Sequence, residues 1–429
     1  MKITEVEAII LRQPAVDDGI ADGSQDDLVI RISTDEGVVG IGEVDSAPEA
    51  VAALVERSSS HAIAGSLHDL LIGEDPRDVE RLWWKMYRGL IYIGRRGIAL
   101  HALSGIDIAL WDIKAKQAGM PLYQLLGGKL REAAAIYEHA DGRDLQQLED
   151  HARRLVEERG LRHVRFRLGG DSNLTRASGE AGGLAYGGPS VGELHRPAGA
   201  LAGAYYDPRA YTRATLKAAE HLRATLGDEI ELLHDVHGRL SVADAVRFAR
   251  DLEPYRLFFL EDPLPPEEVT AHARLRAATT TPIAASELFT IPAQWTPLIV
   301  ERQIDFVRMH LSDIGGLTPA RKVAALAEQF GVRTAWHGPG DCSPVGHAIN
   351  LHLNLATPNF GVQELQPFTG PTEEVFPGCP QARAGYLYPN DRPGHGVDLD
   401  ESLAVKFPCK ASVIEWTQAR LPDGTLSPP

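Results

Sequence analysis

The sequence predicts an α/β fold in which a modified (β/α) barrel carries an α+β capping domain. Residues 1–45 alternate between apolar and polar as strands do, and residues 47–125 show helical patterns. From about residue 134 to residue 365, short apolar runs alternate with helical segments, and polar residues follow the runs. This rhythm is typical of β/α barrels, which build their active sites at the C-terminal ends of parallel strands. A chain of 429 residues is long enough for one barrel with an added module.

The capping domain is predicted to span residues 1–125. The apolar runs at 28–32 and 38–42 flank the polar turn 34–37, which indicates a β-hairpin. Residues 98–113 place apolar side chains at helical spacing and predict a helix with a wide buried face. We expect the C-terminal segment 376–429, which is rich in proline and glycine and has little periodicity, to pack back on this domain.

The barrel is predicted to span residues 126–375. Its first strand is expected at 134–139 and its second at 163–168. The run 169–205 then breaks the rhythm, because it is rich in Gly, Ala, Ser and Pro and has no apolar period. A loop this long inside a compact domain is either functional or disordered, and this one follows a strand on the catalytic side of the barrel.

Three acidic residues follow three successive barrel strands at equal spacing. Asp235, Glu261 and Glu287 lie 26 residues apart, which is about the length of one strand, one helix and two loops. Carboxylate oxygens are the ligands that Mg²⁺ prefers, and three of them in one pocket are unfavourable without a cation. The sequence therefore predicts a Mg²⁺ site. Further polar residues follow the later strands: Arg308, His337 and Glu364.

The bulk composition limits the classes of partner. The net charge of −16 argues against nucleic acid or an anionic membrane as the main partner. No run of roughly 18 apolar residues is present, so we expect no membrane span. The cysteine count is odd, and the spacing of Cys342, Cys379 and Cys409 matches no zinc motif. Together with the lack of a signal-like apolar segment, this predicts a reduced, cytoplasmic location.

Five segments carry a family resemblance: Leu-His-Asp-Val-His-Gly-Arg at 233–239, 252–258, Glu-Asp-Pro at 261–263, the segment 337–344, and 358–364. They resemble the enolase superfamily and, within it, the mannonate dehydratase subgroup. The resemblance covers essentially the whole chain. It implies an enzyme, a Mg²⁺-dependent hydro-lyase that converts D-mannonate or D-gluconate to 2-keto-3-deoxy-gluconate. It also implies a homo-oligomer whose partner is a small sugar acid.

The resemblance further implies roles for individual residues. Arg165 and Tyr186 match a base dyad that removes the C2 proton, and His237 matches the acid that assists loss of the 3-hydroxyl. A free tyrosine has a pKa near ~10, so the nearby guanidinium is needed to favour the phenolate. The positions that match substrate contacts are His139, Arg308, His337, Asp341 and Glu364.

Two departures from the subgroup leave the substrate open. The capping segment at 43–48 lacks an expected asparagine, with Ala47 at the nearest position, and the C-terminus lacks an expected tryptophan. The sequence therefore does not decide between D-gluconate and D-mannonate as the substrate. A racemase of the same superfamily is an alternative, although strand two offers only Arg165 and Arg167, which are poor bases. Another alternative is a sensor that binds sugar acids without converting them.

Overall fold

The structure of the chain is a computed structural model, and the residues it describes are 1–14, 26–44, 46–57, 66–168, 197–201, 205–338, 340, 342–409 and 420–427. Two of the predicted site residues, Tyr186 and Asp341, lie outside these ranges.

The N-terminal region forms an antiparallel sheet covered by helices. Its elements are β1 (Ile3–Arg12), β2 (Asp26–Thr34), β3 (Val39–Val44), α1 (Pro48–Glu56), α2 (Leu67–Leu71), α3 (Val79–Gly89), α4 (Ile98–Gln117) and α5 (Leu122–Leu125). The strand order is β1-β2-β3, and α4 packs directly on β3. Gly40 and Gly42 permit this close approach, because a Cβ at either position would collide with a carbonyl oxygen of α4.

The barrel follows as alternating strands and helices: β4 (Ala134–Gly142), α6 (Leu145–Arg159), β5 (His163–Leu168), α7 (Pro208–Leu226), β6 (Glu231–Asp235), α8 (Val242–Asp251), β7 (Phe259–Glu261), α9 (His272–Arg276), β8 (Ile283–Ala285), α10 (Pro292–Val300), β9 (Phe306–Val307), α11 (Leu317–Gln329), β10 (Arg333–Thr334), α12 (Pro344–Ala356) and β11 (Gln363–Glu364).

These barrel strands pair in parallel from β4 to β10 in chain order. The barrel closes because β11 pairs with β4 and a bridge joins Thr334 to Phe360. Apolar side chains fill the interior beneath the strand ends, among them Tyr137, Leu233 and Phe259. Since side chains alternate along each strand, this filling leaves the residues at the strand ends to face the barrel mouth.

The C-terminal segment contacts both parts of the molecule. It follows α13 (Gly370–Val375) and contains β12 (Gln381–Arg383), β13 (Tyr386–Tyr388) and α14 (Glu401–Ala404). The β12–β13 hairpin pairs antiparallel with β4 of the barrel, a contact that the sequence did not predict. Farther along, the segment reaches the N-terminal region, where Arg12 N donates to Phe407 O at 2.8 Å and His395 N donates to Asp112 Oδ1 at 3.1 Å.

The predicted fold class, a barrel with an α+β cap, is confirmed, whereas the domain boundaries near 125 and 375 remain predictions. The cap touches the barrel at its mouth. Trp83 Nε1 donates to Gly315 O at 2.8 Å, and the buried Glu43 accepts from Gly346 N at 2.9 Å at the start of α12. In the described part of the chain, no helix combines the length and apolarity needed to cross a membrane.

Candidate metal centre and active site

The three predicted metal ligands meet at the barrel mouth. Asp235 ends β6 and Glu261 ends β7, and the two residues lie opposite each other in the register of these strands. Glu287 lies two residues beyond β8. One carboxylate oxygen of each residue lies within 4.8 Å of the others. The equal spacing in the sequence therefore corresponds to three neighbouring carboxylates in the fold.

The backbone around these ligands adopts conformations that L-residues seldom take. His237, Asp262 and Ser286 have φ angles of 56°, 33° and 102°. Such strain persists where surrounding contacts hold it, and it concentrates at functional sites. Here Asp262 holds the turn after β8, because its Oδ1 accepts from Ser286 N at 2.9 Å and its Oδ2 from Glu287 N at 3.3 Å. Asp262 thus orients Glu287, a role that sequence reasoning missed although Glu-Asp-Pro was noted as a motif.

The electrostatics of the site favour a cation. Burial raises the pKa of Asp235 to about 6, against the opposing effect of the Arg165 guanidinium. Burial also raises the pKa of Glu261 to about 7, against the effect of Arg308. Burial also acts to raise the pKa of Glu287, but the neighbouring His337 holds that pKa below its usual range. A bound cation would favour the ionised form of all three carboxylates.

Among the described residues, a hydrogen-bond donor reaches one carboxylate oxygen of Glu261 but not the other. Its Oε1 accepts from Arg308 Nε at 2.6 Å. Its Oε2 is buried and accepts no hydrogen bond from any residue that the structure describes, and Arg165 Nη1 lies 3.9 Å from it. A buried anionic oxygen without a partner is costly, and a coordinated cation would remove that cost. The residues present therefore fit a Mg²⁺ ion held by Asp235, Glu261 and Glu287.

Arg308 and Glu364 form a buried support beneath the metal ligands. Both side chains are fully buried. Arg308 donates to Glu261, to Glu364 Oε2 at 2.8 Å and to the carbonyl oxygens of Ala335 and Trp336. The sequence predicted direct substrate contact for Arg308. The structure instead surrounds its guanidinium with protein acceptors, because the side chain lies below the barrel mouth.

Glu364 gathers three further donors around one carboxylate. His139 Nε2 lies 2.7 Å from Oε1, Arg165 Nη1 lies 3.4 Å from Oε1, and Gly338 N donates to Oε2 at 3.1 Å. Burial acts to raise the pKa of Glu364, but Arg308, His337, His139 and Arg165 hold it well below its usual range. Glu364 is therefore an ionised carboxylate that links the first, second, sixth and seventh strands of the barrel.

The other predicted residues that the structure describes lie beside the candidate metal ligands. Arg165 donates to Asp235 Oδ2 at 3.0 Å, whereas the second strand-two arginine, Arg167, turns away to pair with Asp141 at 2.7 Å. The imidazole Nε2 of His237 lies 3.0 Å from Asp235 Oδ2. The imidazole Nε2 of His337 lies 3.3 Å from Glu287 Oε2.

A cavity of about 370 Å³ opens beside His237 and Glu287. Its wall also includes Asp262 and the apolar side chains of Leu264 and Phe289. The cavity therefore borders Glu287, one of the three candidate metal ligands.

Two family profiles match this chain. Residues 147–403 match the family described as enolase C-terminal domain-like, and residues 8–127 match the N-terminal domain of the mandelate racemase/muconate lactonizing enzyme family.

Close relatives extend the match over the whole chain. A D-galactonate dehydratase family member, RspA of Pantoea ananatis, is 44% identical over 415 residues, which are 95% of this chain and 96% of the relative. A D-galactonate dehydratase family member of Musicola paradisiaca is 43% identical over 435 residues, which are 100% of this chain and 99% of the relative. The crystal structure of an enolase from Pantoea ananatis with bound D-gluconate and Mg superposes with a TM-score of 0.88 at 41% identity, covering 100% of both chains.

Proposed function

The chain belongs to the enolase superfamily, together with the D-galactonate dehydratase family members that it matches along its length, and from that premise we propose that it is a Mg²⁺-dependent sugar-acid dehydratase. The reaction removes the proton at C2 and the hydroxyl at C3 of a hexonic acid, which gives a 2-keto-3-deoxy acid. One observation carries the proposal: Asp235, Glu261 and Glu287 form a compact trio of carboxylates, and a buried oxygen of Glu261 has no hydrogen-bond partner among the described residues.

The difficulty of the reaction is the weak acidity of a proton next to a carboxylate. A bound Mg²⁺ stabilises the negative charge that develops on the substrate carboxylate as this proton leaves. The protein must supply a base on one side of C2 and an acid near the 3-hydroxyl.

Arg165 and Tyr186 are proposed as the base pair. The Arg165 guanidinium is buried at the site and lies 3.0 Å from a metal ligand, so its charge acts within the pocket. Tyr186 enters the proposal by its place in the family pattern, since it lies outside the described residues. A guanidinium beside the phenol would favour the phenolate that removes the C2 proton.

His237 is proposed as the general acid. It follows the metal ligand Asp235 by two residues, and its own backbone N–H donates to Asp235 Oδ1 at 2.9 Å. This bond and the positive φ of His237 fix the imidazole at the edge of the metal site. It lines the cavity that we propose for the substrate chain, which supports the proposal that it protonates the departing 3-hydroxyl.

His139, Arg308 and Glu364 are proposed as positioning residues. Arg308 and Glu364 are fully buried, and their contacts hold Glu261 and Arg165 in place. His337, whose Nε2 lies 3.3 Å from Glu287 Oε2, is proposed to contact the substrate. Asp341, outside the described residues, retains its proposed substrate contact from the family pattern.

D-gluconate is the first substrate to test, because the related Pantoea ananatis structure holds it. D-mannonate differs only in configuration at C2 and would give the same product. With the carboxylate held in one place, the two acids present their C2 protons on opposite faces. Arg165 lies on β5 and His337 follows β10, so the two side chains reach a bound substrate from different sides of the barrel. The epimer that the protein prefers therefore indicates on which of these sides the base lies.

The test is a screen of hexonic and pentonic acids with Mg²⁺, with detection of 2-keto-3-deoxy acid as its semicarbazone. We expect product from at least one hexonic acid, and none when Glu261→Gln replaces the wild type. Binding of a sugar acid without any product would reject the dehydratase and favour the sensor. Exchange of the C2 proton with solvent deuterium and formation of the epimer, without water loss, would favour the racemase.

A further inference from the structure

A second group of metal-ligand side chains lies next to the first. Glu287, His310 and His337 each offer one ligand atom, and these atoms lie within 4.8 Å of one another. We propose that this group binds a transition-metal ion of the Zn²⁺ class, and that the ion inhibits the protein by sharing Glu287 with the Mg²⁺ site.

The positions of the three residues come from the barrel itself. Glu287 follows β8, His310 follows β9 and His337 follows β10, so three adjacent parallel strands deliver them to the same end of the barrel. The rings of His310 and His337 lie 4.0 Å apart between centroids. Both histidines are buried, at 7% and 5% exposure, so neighbouring groups restrict their rotamers. The group is therefore preorganised by the fold.

The spacing of His337 and Glu287 suits a small tetrahedral ion, and the ligand atom of His310 lies within 4.8 Å of both. Zn²⁺ forms bonds of about 2.0–2.1 Å to nitrogen and oxygen, which places its ligand atoms about 3.3–3.4 Å apart. Nε2 of His337 and Oε2 of Glu287 are separated by 3.3 Å. A carboxylate oxygen and two imidazole nitrogens would fill three positions and leave a fourth for water.

The ligand types separate this group from the first one. Asp235, Glu261 and Glu287 offer only oxygen, which suits Mg²⁺, whereas imidazole nitrogen favours Zn²⁺, Co²⁺ or Ni²⁺. Mg²⁺ therefore does not compete effectively for the two histidines. Access is available because the Glu287 side chain is 19% exposed and borders the cavity at the mouth.

Inhibition follows from the shared ligand. An ion bound by His310 and His337 would share Glu287 with a bound Mg²⁺ as a bridging carboxylate, which weakens the charge that Glu287 supplies to Mg²⁺. It also occupies the nitrogen of His337 that faces the metal ligands. The affinity should be lower than that of structural zinc sites, because Nδ1 of His337 makes no hydrogen bond to a described residue and so lacks the acceptor that usually supports a zinc-bound histidine.

The test measures metal binding and needs no turnover, so its outcome is independent of the proposed reaction. Metal-free protein is first saturated with Mg²⁺ and then titrated with Zn²⁺ by calorimetry, and with Co²⁺ by visible absorption. We expect one further ion to bind per chain, with the intense absorption of low-coordinate, histidine-bound Co²⁺. His310→Asn should weaken this binding by at least about tenfold, whereas His272→Asn, which removes a buried histidine outside the group, should not.

Two results would overturn the proposal: no Zn²⁺ binding in the presence of excess Mg²⁺, or the same binding in His310→Asn as in wild type. If His310→Asn does not fold, X-ray absorption at the zinc edge of the wild type decides. Scattering from two imidazole rings supports the site, and a shell of oxygen alone rejects it.

Discussion

Replacing Arg308 with Met tests the buried support beneath the metal ligands. The methionine keeps an unbranched apolar stem but removes every donor that Arg308 directs to Glu261, Glu364 and the carbonyl oxygens of Ala335 and Trp336. Breaking a buried ion pair by removing one partner costs about 3–5 kcal/mol, because the other charge stays buried without compensation. We expect Arg308→Met to lower the free energy of unfolding by about this amount at pH 8 without metal.

The loss should depend on pH with a definite sign. Without Arg308, the folded-state pKa of Glu261 rises further above its value of about 7, and that of Glu364 rises from below its usual range, so both lie above the unfolded value of about 4.3. Between these pKa values the folded variant binds more protons than the unfolded chain, so its stability falls as the pH increases. The difference in the free energy of unfolding between Arg308→Met and the wild type should therefore be small at pH 5.5 and reach its full value at pH 8. Mg²⁺ should recover part of it, since the ion compensates Glu261.

The assay is urea unfolding followed by tryptophan fluorescence in EDTA at both pH values. Arg308→Lys, which keeps the charge but not the planar fork of donors, should fall between wild type and Arg308→Met. Arg247→Met is the surface control, because the Arg247 side chain is 68% exposed and pairs along its own helix with Asp244. A deficit below about 1 kcal/mol at pH 8, or one that does not change with pH, would refute the reasoning.

Three further predictions concern the metal and the chemistry. Glu287→Gln should sharply weaken Mg²⁺ binding in calorimetry, and an unchanged affinity would reject Glu287 as a ligand. Mg²⁺ affinity should rise as the pH increases from 5 to 8, because burial raises the pKa of Asp235 to about 6 and of Glu261 to about 7 and the ion requires both carboxylates ionised; a flat profile would contradict these environments. Tyr186→Phe and His237→Asn should fold normally but lower kcat by at least ~100-fold on the best sugar acid, and full activity of Tyr186→Phe would place the base elsewhere.

Much of the fold followed from local patterns in the chain. Apolar periodicity predicted the hairpin of the cap and the alternation of the barrel, since each depends on residues close in sequence. The second barrel strand was expected at 163–168 and β5 spans His163–Leu168. The equal spacing of Asp235, Glu261 and Glu287 reflected the repeat of the β/α unit, so the carboxylates that meet at the mouth could be named in advance.

The tertiary structure alone decided which partner each polar group takes. Glu364 lies far from Arg308 and His139 in the chain, and only closure of the barrel between β11 and β4 brings them into contact. In the sequence, Asp262 is only an acidic neighbour of Glu261. In the fold, its carboxylate accepts hydrogen bonds from the turn after β8. Periodicity tells which residues end a strand, but hydrogen bonds depend on distances of a few tenths of an ångström across strands. Those distances arise when the barrel packs, and no local pattern encodes them.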